Sequence, residues 1–174
     1  MSVDIRIVES AESKKLFLAI KELKDKGVKV GWVERQQYQG KKITVAAVAA
    51  QNEFGNPSKN IPARPFMRPT VISKRNFWRK QVEFGASQIL LNNTTIDEVL
   101  NKLGQDASAD VKRTITRVYY PALAESTILA RIRRNAQLSK RRSRFERKHV
   151  GNITKPLIDT GEMYNTLTYQ ITDE

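Results

Sequence analysis

The sequence contains no cysteine and a single histidine. Without thiols there can be no disulfide, no thiolate nucleophile and no zinc-thiolate site, which removes several enzyme classes at once. No apolar run approaches the ~20 residues that span a bilayer. Asp4, Arg6 and Glu9 interrupt the apolar positions near the start, so neither a membrane span nor a secretory segment is expected. The chain is therefore expected in the cytoplasm or in a particle assembled there. Glycine-rich phosphate loops of the two common types are also missing. Acidic residues are scarce beside basic ones, 18 Asp and Glu against 31 Lys and Arg, giving a net charge of +13. Such an excess predicts attraction to a polyanion: nucleic acid, an acidic membrane face or an acidic protein surface.

What is present describes one globular domain spanning 1–174. The 40% hydrophobic content can supply a core, and 28% charged residues can cover it. Val3, Ile5 and Ile7 alternate with polar residues, as in a half-buried strand, and Leu16, Phe17, Ile20 and Leu23 then follow a helical stripe closed by Gly27. A second strand is expected over 28–33, a turn over 36–42, and an alanine-rich helix over 45–54 capped by Thr44 and ended by Gly55. Pro57, Pro62, Pro65 and Pro69 impose a stiff extended loop. Pro69 can open a helix that carries Val71, Ile72, Phe77 or Trp78, Val82 and Ile89 toward a core. The clearest helix holds Ile96, Val99, Leu100, Leu103, Ala107, Val111, Ile115 and Val118 at steps of three and four, with Thr95 as its cap. A weaker stripe, Leu129 and Ile132, follows Pro121. Asp159 and Glu162 have capping-box spacing, and Leu167, Tyr169 and Ile171 alternate like a closing strand. These elements predict an α+β domain, a small mixed or antiparallel sheet with packed helices.

Catalytic chemistry finds little support. His149 lies beside Lys148, where neighbouring cations disfavour an imidazolium, and no partner acid is fixed nearby. Glu22 and Lys24 have the spacing of a nuclease pair, but on a helix residues two apart point away from each other. No catalytic residue, cofactor or metal ligand is therefore assigned. Residues 131–148 hold Arg131, Arg133, Arg134, Lys140, Arg141, Arg142, Arg144, Arg147 and Lys148 against Glu146 alone, which is +8 of the total +13. Three readings stand side by side: a phosphate-binding tract, a solvated loop, and an arm over about 131–153 that orders against an acidic neighbour. Only Phe145 is available there for base stacking. In the proline-rich loop, Phe66 and Met67 lie between Arg64 and Arg68. A stiff loop loses little entropy on docking, so these four residues are candidate interface contacts, the alternative being that Phe66 and Met67 fold back onto their own core.

Three segments form an ordered set: Asn52-Glu53-Phe54-Gly55, Ile61-Pro62-Ala63-Arg64-Pro65-Phe66-Met67-Arg68-Pro69, and Lys155-Pro156-Leu157-Ile158-Asp159-Thr160-Gly161. Weaker companions are Val30-Gly31-Trp32 and Pro121-Ala122-Leu123-Ala124, the latter followed by Ser126-Thr127. In this order the set resembles the virion-morphogenesis, or tail-completion, proteins of tailed bacteriophages, over roughly residues 28–170. The stretch 70–118 carries no motif of the family. The resemblance implies a non-enzymatic α+β neck subunit of the virion, forming a ring, expected to be hexameric, on the head-proximal end of the tail. Its implied partners are further copies, other neck, tail-terminator and connector proteins, and the DNA in the channel. The alternative is a DNA-binding protein that places the basic tract on phosphates.

Overall fold

A computed structural model of the chain describes residues 24–32, 37–38, 42–141 and 153–173, with isolated positions at 14, 17, 18 and 21; side chains within 138–141 are not described. The expected strand at Val3 to Ile7 lies outside the described residues. Phe17 is helical as expected, but it is exposed rather than turned to a core.

The chain is an α+β domain. Strand β1 is Lys26–Gly31 and strand β2 is Thr168–Asp173. They pair antiparallel, Lys26 opposite Asp173 and Gly31 opposite Thr168. The alternation read for β2 holds: Tyr169 and Ile171 turn inward while Thr168 and Gln170 face out. Between the strands run α1 (Val45–Phe54), a single 3-10 turn (Pro57–Lys59), α2 (Met67–Leu90), α3 (Ile96–Arg117), α4 (Glu125–Arg141) and the short α5 (Glu162–Asn165).

Helix α3 is the spine. Thr95 and Glu98 form a complete capping box at its start, and Ile96, Leu100, Gly104, Ala107, Val111 and Ile115 bury one face. The sheet lies on that face at Gly104, where the Tyr169 ring occupies the space of any side chain: an added Cβ would stand 2.2 Å from Cδ2. Helix α2 crosses α3 just as closely at Gly85, against Val99. The core gathers Val45 and Ala49 from α1, Phe66, Val111 and Ile115, then Leu157, Met163 and Leu167 from the C-terminal segment.

Three expectations are corrected. Val71 and Ile72 of α2 are exposed, because its packed face carries Thr70 and Gly85, small residues that admit close approach to α3; of the alternatives Phe77 or Trp78, Trp78 is the one turned inward and Phe77 is exposed. Leu129 and Ile132 of α4 are also largely exposed, and the side buried there is polar, Arg131 and Asn135. The short helix α5 has Gly161 as its N-cap with no side-chain cap, because Asp159 is held by arginines.

Candidate docking groove and its buried charge network

Val45, Ala49 and Glu53 recur at steps of four, so all three fall on the buried face of α1. The Glu53 carboxylate accepts from the amides of Phe66 at 2.7 Å, Met67 at 2.9 Å and Arg68 at 3.1 Å, and from Arg68 Nε at 3.0 Å. These amides open α2, whose own N-cap, Phe66, has no side-chain acceptor to offer. A carboxylate at the end of one helix thus caps the next, where unpaired amides and the helix dipole both favour negative charge. Burial would raise the Glu53 pKa, but the hydrogen bonds from Phe66, Met67 and Arg68 outweigh it and hold the group below the ordinary value of 4.5.

The turn that makes this possible needs Gly55. Its φ is +77°, and an added Cβ would stand 2.8 Å from the Ala63 amide nitrogen and 3.1 Å from the Ile61 carbonyl oxygen. Gly55→Ala should therefore lower stability by about 2 kcal/mol or more. Urea unfolding checks this; an unchanged midpoint would show that the turn relaxes freely.

Arginines organise the other side. Arg64, 5% exposed, donates from Nε to the Pro121 carbonyl at 2.6 Å and from Nη2 to that of Ala122 at 2.9 Å. Arg131, 6% exposed, donates from Nη1 to Lys155 O at 2.8 Å and from Nη2 to Pro156 O at 3.3 Å, and its Nε lies 3.3 Å from an Asp159 oxygen. Arg134 grips the same carboxylate with both terminal nitrogens, and these bonds to Asp159 raise its pKa. Burial lowers the pKa of Arg131, an effect that Asp159 partly offsets.

The expected interface residues are therefore redistributed. Phe66 is fully buried, with its ring 6.0 Å from that of Trp32 in a T-shaped contact, and Met67 is half-buried against the core. The loop folds inward because Glu53 captures its backbone. Arg68 keeps an exposed side chain, paired with Glu53 and stacked 5.1 Å from the exposed Phe54 ring. Of the basic tract, Arg131 and Arg134 are structural cations of a helix rather than parts of a loop, because Asp159 and the carbonyls of 155 and 156 neutralise or accept from them. Arg133 is exposed on α4, which also includes Lys140 and Arg141. Arg142, Arg144, Arg147 and Lys148 lie outside the described residues, as does His149.

These contacts frame an open groove of about 710 Å³, whose walls include Tyr38, Asn52, Ile61, Arg64, Arg131 and Asp159. A smaller cleft of about 340 Å³ lies between α2 and α3 beside Phe84 and Val99. In sequence Glu53 carries no assigned role and Asp159 only the capping role that the structure corrects. The four-residue step from Val45 and Ala49 could have placed Glu53, whereas nothing local distinguishes Arg131 from its neighbours. Among the described residues there is no grouping of three or more Asp, Glu, His or Cys suited to a metal, and no helix is long and apolar enough to cross a membrane. In comparisons with known proteins, no family model, no curated protein and no solved structure matches the chain.

Proposed function

We propose that this chain is a structural subunit of the neck of a tailed phage, assembling as a ring that completes the tail and joins it to the head. Its place would be the virion, after assembly in the host cytoplasm, and its chemistry would be surface complementarity rather than catalysis. The observation that carries the reading is the outer side of α2. Phe77 and Phe84 stand seven residues apart in α2, so they share one side of the helix, and both are exposed, Phe84 by 67%, as is Leu91 at its C-cap. Exposed apolar surface arranged this way marks a protein contact. A ring subunit needs such a patch, matched to a different patch on its neighbour. The segments that resemble the tail-completion family support the reading as a set, since residues 52–55, 61–69 and 121–124 are joined by the Glu53 and Arg64 hydrogen bonds, and 155–161 shares the core with them through Leu157 and Phe66. Binding to DNA remains the second reading, but Arg131 and Arg134 are already engaged within the chain, which leaves it to the other seven cations of the tract.

Light scattering on the purified protein tests the proposal. A mass several times the 19.9 kDa of one chain is expected, falling to the monomer when Phe77 and Phe84 are both changed to Ser. Because both side chains are exposed, each change should alter subunit stability by no more than about 0.5 kcal/mol. A monomer at every concentration, or an oligomer indifferent to the two changes, would count against the proposed ring contact.

A further inference from the structure

Arg64 is a buried cation served only by neutral acceptors. Its Nε and Nη2 meet two backbone carbonyls, and among the described residues no carboxylate lies within ion-pair distance of it. Burial lowers its pKa, and so does the positive charge of Arg131 nearby. Asp159 does not relieve this, because it is already shared by Arg131 and Arg134. A guanidinium kept out of water without a counter-charge is costly, and its cost falls when an anion arrives. Arg64 lines the 710 Å³ groove with Arg131 and two exposed lysines, Lys42 and Lys59, four cations against the carboxylates of Glu162 and of Asp159, the latter already held by arginines.

We propose that this groove receives an extended acidic segment of a different protein chain, one of whose carboxylates pairs with Arg64 while Lys42 and Lys59 attract it from the rim. Resting on the assembly reading, the proposal names the kind of partner: an acidic protein of the same particle. The contact proposed for a second copy lies on α2, none of whose residues lines this groove, so the groove is left for a different chain. Depth argues against nucleic acid. Arg64 is 5% exposed, which a carboxylate on a short flexible stem can reach and the bulky backbone of a duplex cannot. The walls also suit peptide side chains, because Ile43, Val48, Ile61 and Leu157 place apolar surface beside the cations. Arginine's planar fork favours bidentate contact with a carboxylate, so Arg64 would fix the direction of the segment as well as its affinity.

The test is an amide NMR titration of the full chain with a blocked tripeptide of two glutamates flanking a leucine. Its controls are the same peptide with glutamines, inorganic phosphate and a short thymidine oligonucleotide. The acidic peptide should shift groove amides around 59–64 and 123–131 with saturable behaviour, and the glutamine peptide should not. Arg64→Lys, which keeps the charge but loses the fork, should weaken binding about tenfold or more. Should that variant fail to fold, Lys42→Ala with Lys59→Ala provides the second arm: both residues are exposed, and their loss should weaken binding about threefold or more without changing the thermal midpoint. The proposal is overturned if the acidic peptide leaves these amides unmoved at millimolar concentration, or if the glutamine peptide, phosphate or the oligonucleotide binds there as well or better. It is equally overturned if the double lysine variant binds unchanged. Light scattering on the same samples separates the two ideas. A monomer that takes the peptide sinks the ring and keeps the slot, and a ring that ignores the peptide does the reverse.

Discussion

Phe66→Ala is expected to destabilise the isolated subunit by about 3–5 kcal/mol, the cost of emptying a fully buried aromatic site. Phe66 touches Trp32 and belongs to the cluster of Val45, Ala49, Val111, Ile115 and Leu157, drawn from α1, α3 and the C-terminal segment. None of these can close the hole without leaving its own partners. Because a domain of this kind is held by only about 5–15 kcal/mol, the variant would lose a large part of its margin. Its melting temperature should fall by on the order of 10 °C. The measurement is urea or thermal unfolding of monomeric protein. If the midpoint stays put while assembly weakens, the residue acts at an interface and the core assignment is wrong.

Glu53→Gln should cost about 3 kcal/mol at neutral pH, since an amide can neither accept all four hydrogen bonds nor answer the charge of Arg68. The pH dependence gives a second reading of the same site. The folded pKa of Glu53 lies below 4.5, so its contribution is fully present above that value and disappears as pH falls through the folded pKa. The difference in unfolding free energy between the natural chain and the variant should therefore be largest near neutrality and shrink between about pH 5 and pH 3. A difference that stays constant across that range would mean that the carboxylate's charge contributes nothing.

The parts of the fold that follow apolar periodicity were readable from the sequence. Helix α3 repeats its apolar residues at three and four and carries its own capping box, so both its face and its start could be placed. The alternation of Tyr169 and Ile171 revealed β2, although not its partner, because pairing between distant segments leaves no local trace. Helix α2 was readable as a helix but not by face. It packs through Thr70, Trp78 and Gly85, with Trp78 Nε1 donating to Asp110, and puts phenylalanines outside, which reverses the rule that apolar sides face the core. The groove was least legible. Nine basic residues in one run look equivalent in sequence, yet Arg131 and Arg134 are set apart only by Asp159 arriving from another segment. The Asn52 to Gly55 and Arg64 to Arg68 motifs were visible as strings, while their meaning, a carboxylate capping a distant helix, required the fold.

The pairing of β1 with β2 also bears on the order in which the protein can be made. Lys26 is synthesised well before its partner Asp173, with the five helices α1 to α5 between them. Until β2 has been translated, β1 has no strand to pair with, and the Gly104 face of α3 has no Tyr169 to cover it. The helical pair α2 and α3, whose contacts lie close together along the chain, can form first, because short loops close at small entropic cost. The sheet must wait until β2 has been made, so until then a growing chain carries an unpaired strand and a bare helix face.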